Sequence, residues 1–381
     1  MREVAVAGDM PPAYARKGTR MHPRVEKLPK PDPDYRRFLS VLQRERPDRV
    51  PLIELAVDPE VVDTLLDEPP ITGGDQRQAQ HETTRRMVRA HHRLGYDVMK
   101  ISAPIPWNVE RLTTHDPSTL SDGARDWLDQ HKGPIGSIDD LERFPWPAPS
   151  DVNFAPVDTA IETLPDGMRL IGFSGGVLEF AMDLIGMTEL MIATRRTPEL
   201  VAAVIERVGQ TTYGVFEAYC QIDAVCAIWL GDDLGHKHGL LIAPNVLKEH
   251  VLPWYRRFAD LAHEHGRPFL LHTCGNTAEI MPALVEETGI DAKHSFEDGI
   301  EPVEAFFDAW HDQVAVLGGV DVHLLSVGEE DAIRERTLAI LEHAAPHGGY
   351  AAGSGNSIPN YVSPEHYLTM IETVAAYNGR L

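Results

Sequence analysis

Residues 268–274 of the chain read PFLLHTC, a short apolar run that leads directly into a histidine and a cysteine. A run of this kind is typical of a buried strand. Seven more such runs recur along the chain, and the segments between them carry apolar residues at helical spacing. The seven are RVPLIELA (49–56), DVMKIS (97–102), RLIGFSG (169–175), AVCAIWLGDD (224–233), DAKHSFE (291–297), VAVLGGVD (314–321) and GGYAAGSG (348–355).

Eight alternating strands and helices predict an α/β fold, a single (β/α)8 TIM barrel. An open doubly wound sheet is the alternative, but no Gly-x-Gly-x-x-Gly motif follows the first predicted strand. The polar, Pro-rich residues 1–45 predict an N-terminal arm, and residues 46–381 the barrel domain. The segment 103–165, between the second and third predicted strands, is too long for a simple loop, so we expect an insertion that forms a lid.

The composition excludes several classes of partner. The chain has 381 residues, with 35 Lys and Arg against 58 Asp and Glu and a formal net charge of −23. This balance argues against nucleic acid or an anionic membrane surface. Three cysteines do not make a disulfide framework, which favours a reducing compartment. The N-terminus lacks the apolar run of a signal peptide, and no apolar run approaches the ~20 residues of a membrane span. We therefore expect a soluble cytoplasmic protein.

Polar residues follow most of the predicted strands. In a barrel of this type the chemistry lies at the carboxyl ends of the strands. The candidate site residues, in chain order, are Glu54, Ser174, Asp232, Asp233, His272, Cys274, His294, Glu297, Asp321, Ser354 and Asn356.

His272 and Cys274 are two residues apart, so on a strand their side chains point to the same face. Imidazole nitrogen and thiolate sulfur together suit Zn²⁺. Glu297 or His294, from the adjacent predicted strand, would supply a third ligand. The alternative is a buried structural cysteine beside a hydrogen-bonded histidine.

Two further groups are open to more than one interpretation. Asp232 and Asp233 can contact substrate, orient a metal ligand from behind or cap the next helix, and substrate contact is the role we expect for one of them. The loop histidines His236 and His238 are interpreted as facing solvent or substrate. The other cysteines are interpreted as packed thiols, namely Cys220 and Cys226.

Four motifs carry a family resemblance over about residues 35–381. FLLHTCGN (269–276), GIDAKHSFED (289–298), LGGVDVHLLSVG (317–328) and GGYAAGSGNSIPNYVSPEHYLTMIETV (348–374) resemble the uroporphyrinogen decarboxylase superfamily. This superfamily includes corrinoid-linked methyltransferases that act on coenzyme M. The resemblance implies a TIM barrel, in agreement with the strand pattern.

The resemblance favours one of the two chemistries in the superfamily. True decarboxylases carry an Arg-Gln-Ala-Gly-Arg-Tyr motif that is absent here, and their last-strand histidine aligns with Asn356. The methyltransferases hold zinc with His-x-Cys and a distant cysteine, and the zinc lowers the pKa of a substrate thiol. His272 and Cys274 match the first two ligands, whereas the third falls at Asn356. Related zinc barrels add a glutamate, which Glu297 resembles.

The sequence therefore predicts a zinc-dependent methyl or alkyl transferase. Asp232, Asp233 and Asn356 would position and hydrogen-bond the substrate. The resemblance implies a corrinoid protein or free cobamide as methyl carrier. We expect a small-molecule substrate and, from the charge balance, no nucleic acid or membrane partner; a homodimer is one state that we consider. The alternatives are a carboxy-lyase and a non-catalytic tetrapyrrole-binding protein. The expected substrate-binding residues are Glu54, Ser174, His294, Asp321 and Ser354.

Overall fold

The structure is a computed structural model of the chain. It describes residues 21–72, 75–109, 111–115, 120, 124–128 and 132–381, and for 111–115 and 124–128 it describes the backbone alone. Of the predicted arm, residues 1–20 lie outside the described residues.

The described residues form eleven β-strands and sixteen α-helices. The strands are β1 (Val98–Ser102), β2 (Arg111–His115), β3 (Ala124–Leu128), β4 (Arg169–Gly175), β5 (Val225–Gly231), β6 (Gly235–His236), β7 (Gly239–Leu240), β8 (Phe269–His272), β9 (Ala292–His294), β10 (Ala315–Leu317) and β11 (Tyr350–Ala351). The helices are α1 (Pro23–Lys27), α2 (Tyr35–Leu42), α3 (Pro59–Leu66), α4 (Gln76–Leu94), α5 (Ile138–Arg143), α6 (Ala155–Thr163), α7 (Val177–Ile185), α8 (Met187–Arg196), α9 (Pro198–Cys220), α10 (Pro244–Val246), α11 (Leu252–Glu264), α12 (Met281–Thr288), α13 (Val303–Trp310), α14 (Val322–Val327), α15 (Glu330–Ala344) and α16 (Pro364–Tyr377).

Seven of the strands form one curled parallel sheet. Its order is β1-β4-β5-β8-β9-β10-β11, and every neighbouring pair is parallel. These strands lie within seven of the eight predicted segments, which confirms the α/β fold and the parallel sheet. The segments between them contain the helices, as the apolar spacing predicted.

The eighth predicted strand, residues 49–56, is not a regular strand. Leu52 forms an isolated parallel bridge with Ala352, next to β11, and Val57 forms another with Ile358. The backbone N–H of Ala352 donates to the Pro51 carbonyl at 2.9 Å. Proline itself has no N–H to contribute to a ladder, which weakens strand pairing at this segment. The regular sheet thus has seven strands, and the prediction of eight was too high by this segment.

The inside of the curled sheet holds one apolar cluster, which we call the interior cluster. It joins residues of both outer strands of the sheet, Val98 of β1 and Ala351 of β11, with the large ring of Trp229. Because side chains alternate along a strand, residues two positions beyond a member of this cluster also face inwards. The other strand members are Ile171, Ala227, Leu270, Ala292, Ala315 and Leu317.

Helix α2 closes the sheet at the amino-terminal ends of its strands. Phe38, Val41 and Leu42 of this helix belong to the interior cluster and are at most 2% exposed. Arg37 donates to Asp97, the residue before β1, at 2.6 Å. This part of the predicted arm is therefore packed into the barrel-like core, and the opposite end of the sheet remains for a site.

The chain between β1 and β4 contains additional structure, as the length of the segment predicted. It includes the antiparallel pair β2–β3 and helices α5 and α6. The ring of Trp107 lies 4.9 Å from that of Phe180 on α7 and 6.1 Å from that of Trp146, measured between centroids. These contacts attach the insertion to the helix layer, while its role as a lid stays a prediction. In the described part of the chain, none of the helices combines the length and apolar character needed to cross a bilayer.

Candidate metal centre

Three potential ligands converge at the carboxyl ends of β5 and β8. The parallel register pairs Gly231 with His272, so the residues just after both positions are neighbours. Within the described residues, Asp233, His272 and Cys274 are the group whose ligand atoms all lie within 4.8 Å of one another. The backbone N–H of Cys274 also donates to Asp233 Oδ1 at 2.9 Å, which fixes the carboxylate against the cysteine. This set combines a thiol, an imidazole and a carboxylate.

The Cys274 sulfur is surrounded by polar groups. It lies 3.2 Å from His272 Nε2, and it accepts hydrogen bonds from the Ser295 hydroxyl at 3.4 Å and from Asn356 Nδ2 at 3.3 Å. Burial, and then the charge of Asp233, raise the pKa of the Cys274 thiol. A bound cation reverses this balance because it stabilises the thiolate directly.

The tautomer of His272 follows from the groups behind it. His294 Nε2 lies 3.3 Å from the Ser354 carbonyl oxygen, which can only accept, so Nε2 carries the proton. Burial lowers the pKa of His294 to about 3 and that of His272 well below its usual value, so both rings are neutral. The bare Nδ1 of His294 therefore accepts from His272 Nδ1–H, 2.7 Å away. The lone pair of His272 is left on Nε2, on the side of Cys274, where a metal ligand needs it.

Glu54 binds Ser354, the residue whose carbonyl oxygen accepts from His294. Its Oε1 accepts from the Ser354 backbone N–H at 2.9 Å, and its Oε2 accepts from the Ser354 hydroxyl. Glu54 is 3% exposed, and burial raises its pKa to about 8. Both residues were predicted to bind substrate. Their observed contacts connect them to His294 and through it to His272, and their role in substrate binding stays a prediction.

The two adjacent aspartates have different surroundings. Asp232 is fully buried and accepts from the backbone N–H groups of Leu178 and Glu179, at the start of α7, and from the Tyr255 hydroxyl at 2.7 Å. Burial raises its pKa to about 7. Asp233 is half-buried and joins the ligand group. Alternation along the extended chain explains the difference, since neighbouring side chains point to opposite faces.

Glu297 lies outside the ligand group. Its side chain is exposed, and its backbone forms a bridge with Glu301. Ser295, two residues earlier, has a positive φ of 90°, so the strand alternation is broken before Glu297 is reached. The sequence predicted Glu297 or His294 as the third ligand, whereas the structure brings Asp233 to His272 and Cys274.

The other predicted site residues have local partners. Asp321 accepts from the N–H groups of His323 and Asp298 and thus caps α14, and the Ser174 hydroxyl donates to the Gly175 carbonyl. The substrate-binding roles of Asp321 and Ser174 stay predictions. The loop histidines and the remaining cysteines are outside the ligand group of the described chain, namely His236, His238, Cys220 and Cys226.

Sequence reasoning missed one polar contact of the cysteine. Ser295 donates to the Cys274 sulfur from a backbone conformation that is rare outside glycine, and the Lys293 ammonium donates to the Ser295 carbonyl at 2.5 Å. Lys293 is 2% exposed and packs over the Phe296 ring at 4.0 Å. No local sequence pattern predicts this arrangement, because the positive φ of Ser295 is imposed by the packing around it.

A parallel sheet with ligands at the carboxyl ends of its strands defines a class of α/β proteins with a site at one mouth. Residues 130–377 match the family Uroporphyrinogen decarboxylase (URO-D), which is more than half of the chain. The chain belongs to the uroporphyrinogen decarboxylase family, as the motifs predicted.

Two similar proteins come from Methanosarcina mazei. A methylated-thiol–coenzyme M methyltransferase is 29% identical over 120 residues, which is 31% of this chain and 31% of that protein. The chain thus matches about a third of the length of this relative. A solved structure of a methyltransferase superposes with a TM-score of 0.67 at 16% identity, covering 90% of this chain and 98% of the other. This superposition supports the fold.

Proposed function

We propose that this protein is a zinc-dependent enzyme that transfers a methyl or alkyl group from a corrinoid or a small methylated donor to a thiol acceptor. The observation that carries the proposal is the ligand group Asp233, His272 and Cys274, with the His272 lone pair on Nε2. Thiolate, imidazole and carboxylate are the donors that zinc takes in proteins, and three protein ligands are typical of catalytic sites. The residues present therefore fit the metal.

Each residue of the site has a separate task in this proposal. His272, Cys274 and Asp233 would hold the ion, which when bound lowers the pKa of an acceptor thiol. Ser295 and Asn356 donate to the Cys274 sulfur and spread its negative charge, which makes this sulfur a poorer nucleophile than the acceptor. The acceptor sulfur then bonds to the methyl carbon as the carbon–carrier bond breaks, its electron pair stays on the carrier, and the thiol proton leaves to solvent.

The names of similar proteins support methyl transfer over decarboxylation. The Methanosarcina mazei relative is named as a coenzyme M methyltransferase, and the arginine motif of the true decarboxylases is absent from this chain. A carboxy-lyase using Asp232 is not favoured, because both oxygens of that carboxylate already accept hydrogen bonds. The corrinoid partner and the thiol acceptor are parts of the proposal that rest on the family resemblance.

Metal analysis of protein purified without chelator tests the proposal. We expect about one zinc per chain, and its loss in Cys274→Ser, because a hydroxyl stays protonated at neutral pH. Cys220→Ser is the matched control, since Cys220 is also a free cysteine but lies outside the ligand group. Full activity of zinc-free protein, or a Cys274→Ser variant that keeps its metal, would refute the proposal.

A second pair of variants identifies the third ligand. Asp233→Asn and Glu297→Gln remove one carboxylate each while keeping the size of the side chain. We expect Asp233→Asn to weaken zinc binding and Glu297→Gln to leave it almost unchanged. The opposite result would restore the ligand set that the sequence predicted. Demethylation of methylcobalamin in the presence of a thiol, followed by absorbance, then measures the transfer itself.

A further inference from the structure

Lys293 of β9 is buried between the sheet and the helix layer. Its neighbours Ala292 and His294 face the inside of the curled sheet, so the lysine side chain points the other way, towards α13. Its Nζ lies 4.0 Å from the centroid of the Phe296 ring and 5.0 Å from that of Phe306 on α13. The residue is 2% exposed, and burial lowers its pKa to about 8, so the ammonium form predominates at neutral pH.

The hydrogen bond of this ammonium group runs to the chain two residues ahead. Lys293 Nζ donates to the Ser295 carbonyl oxygen at 2.5 Å. Within the described residues Lys293 forms no ion pair, and the carboxylates of Glu297 and Glu301 attract it at longer range. A buried lysine is costly unless it is paired, and a methionine would fill the same space beside the aromatic rings without this cost. The hydrogen bond to Ser295 is therefore the contact that distinguishes a lysine at this position.

Ser295 adopts a strained backbone conformation. Its φ of 90° is rare for residues other than glycine. The residues on both sides are fixed, since His294 belongs to β9 and the Phe296 backbone N–H donates to the Gly355 carbonyl at 2.9 Å. A hydrogen bond from a charged group is of the same order as the strain of one residue. The buried lysine thus stabilises Ser295 in this conformation.

The conformation of Ser295 directs its hydroxyl to the Cys274 sulfur. The Ser295 hydroxyl donates to this sulfur at 3.4 Å, and Asn356 Nδ2 donates to it at 3.3 Å. A hydrogen bond to a thiolate stabilises the electron pair with which the sulfur would attack carbon, so it lowers the nucleophilicity of that sulfur. In the proposed reaction a methyl donor approaches an ion that holds two sulfurs, those of Cys274 and the acceptor, and only the acceptor should react.

We propose that Lys293 is a positioning residue, which holds the Ser295 hydroxyl on the Cys274 sulfur and thereby protects this ligand from alkylation. The inference rests on the proposed function and adds to it a residue outside the ligand group. Alkylation of Cys274 forms a sulfur–carbon bond as the bond from carbon to its leaving group breaks, and the electron pair of that bond stays on the leaving group. The neutral thioether that results is a poorer zinc ligand than a thiolate, so one such event weakens the metal site.

The rate of Cys274 methylation in the zinc-loaded protein tests the inference. Iodomethane is the probe, iodide is the leaving group, and mass spectrometry of the peptide that contains Cys274 gives the rate. Both Lys293→Met and Ser295→Ala should raise this rate about three- to tenfold, the factor that one hydrogen bond provides. The double variant should react within about twofold of Ser295→Ala alone, because the lysine acts through the serine.

A spectroscopic signature separates this role from a merely structural one. In cobalt-substituted protein, a hydrogen bond to the sulfur lowers the energy of its lone pairs and moves the thiolate-to-cobalt charge-transfer band to shorter wavelength. We expect a shift to longer wavelength in Lys293→Met and in Ser295→Ala, with little further shift in the double variant. Lys237→Met is the matched control, because Lys237 is an exposed lysine of the β6–β7 hairpin, which contacts the ligand loop where Asn276 donates to the His236 carbonyl. An exposed charge is screened by solvent, so this variant should keep the wild-type rate and band.

The outcomes separate the inference from the proposed function. A wild-type rate and band position in Lys293→Met would overturn the inference, even with a lower melting temperature, since a purely structural lysine gives that combination. Multiplied effects in the double variant, or equal effects in Lys237→Met, would also overturn it. Lys293→Gln replaces the methionine variant if that variant does not fold. The absence of bound zinc and of a cobalt–thiolate band in the wild type would instead refute the proposed function, on which the inference rests.

Discussion

Replacement of His294 by phenylalanine tests the chain of contacts behind the candidate ligand His272. Phenylalanine keeps the ring and the edge-on packing against Trp229, whose ring centroid lies 5.3 Å away. It removes the Nδ1 acceptor, 2.7 Å from His272 Nδ1, and the Nε2 donor to Ser354. His272 Nδ1 then has no hydrogen-bond partner, and the contact of Nε2 with the Cys274 sulfur, 3.2 Å away, is left to orient the ring.

The expected loss follows from these contacts. Removing the partner that orients a metal-bound histidine weakens metal binding by about 10- to 100-fold, which corresponds to about 1.4–2.7 kcal/mol. The buried His272 Nδ1–H, left without an acceptor, costs about 1–3 kcal/mol when the proton remains there. We therefore expect a zinc Kd higher by one to two orders of magnitude, together with a lower free energy of unfolding.

Competition against a chromophoric chelator measures the zinc Kd, and urea unfolding measures the stability. His311→Phe is the matched control, because His311 lies on the far helix layer, where it stacks on Phe307. Ser354→Ala gives a second reading: it removes the hydroxyl bond to Glu54 and keeps the carbonyl that accepts from His294, so a smaller effect is expected. A zinc Kd for His294→Phe within about twofold of the wild type would refute the assignment of the Nε2 lone pair.

Three more changes have definite expected outcomes. Asn356→Cys should tighten zinc binding in the same competition assay, because the Asn356 amide lies 3.3 Å from the Cys274 sulfur and a thiol there is within reach of the same ion; a weaker or equal Kd would contradict this. Burial raises the pKa of Glu54 from 4.5 to about 8, so between these pH values the folded state binds a proton that the unfolded state has lost. Stability of the wild type should therefore fall as pH rises from about 4.5 to about 8, and urea titrations should show a shallower fall for Glu54→Gln; parallel curves would show the assignment to be wrong. Gly275→Ala should lower the melting temperature and weaken zinc binding, since φ is +78° and a Cβ would lie 2.3 Å from the Gly235 carbonyl carbon; unchanged melting and binding would argue against this close approach.

The seven strands of the sheet were predictable because their signals are local. A short apolar run such as residues 269–272 is buried wherever it lies in the sheet, so its pattern alone indicates a strand. The first segment failed as a regular strand for a reason that is also local, the proline at position 51. The sequence did not predict that Leu52 of this segment pairs with Ala352, because no local pattern around Leu52 identifies a residue so far away in the chain.

The pair His272 and Cys274 was also predictable, because side-chain direction along a strand repeats every two residues. The third member of the candidate ligand group, Asp233, was not predictable from the sequence. Asp233 reaches the pair through the register of β5 against β8, in which Gly231 lies opposite His272. Register depends on the packing of the whole sheet, so the sequence offered Glu297 equally well.

The sequence by itself determined the parallel α/β sheet, the family and the His-x-Cys pair, since all three are carried by short stretches of residues. Only the tertiary structure decided that Asp233 joins this pair and that His294 lies behind His272. These facts depend on contacts between residues far apart in the chain. Local sequence patterns determine on which face of the sheet a side chain lies, whereas the curling of the sheet determines which other residues it contacts there.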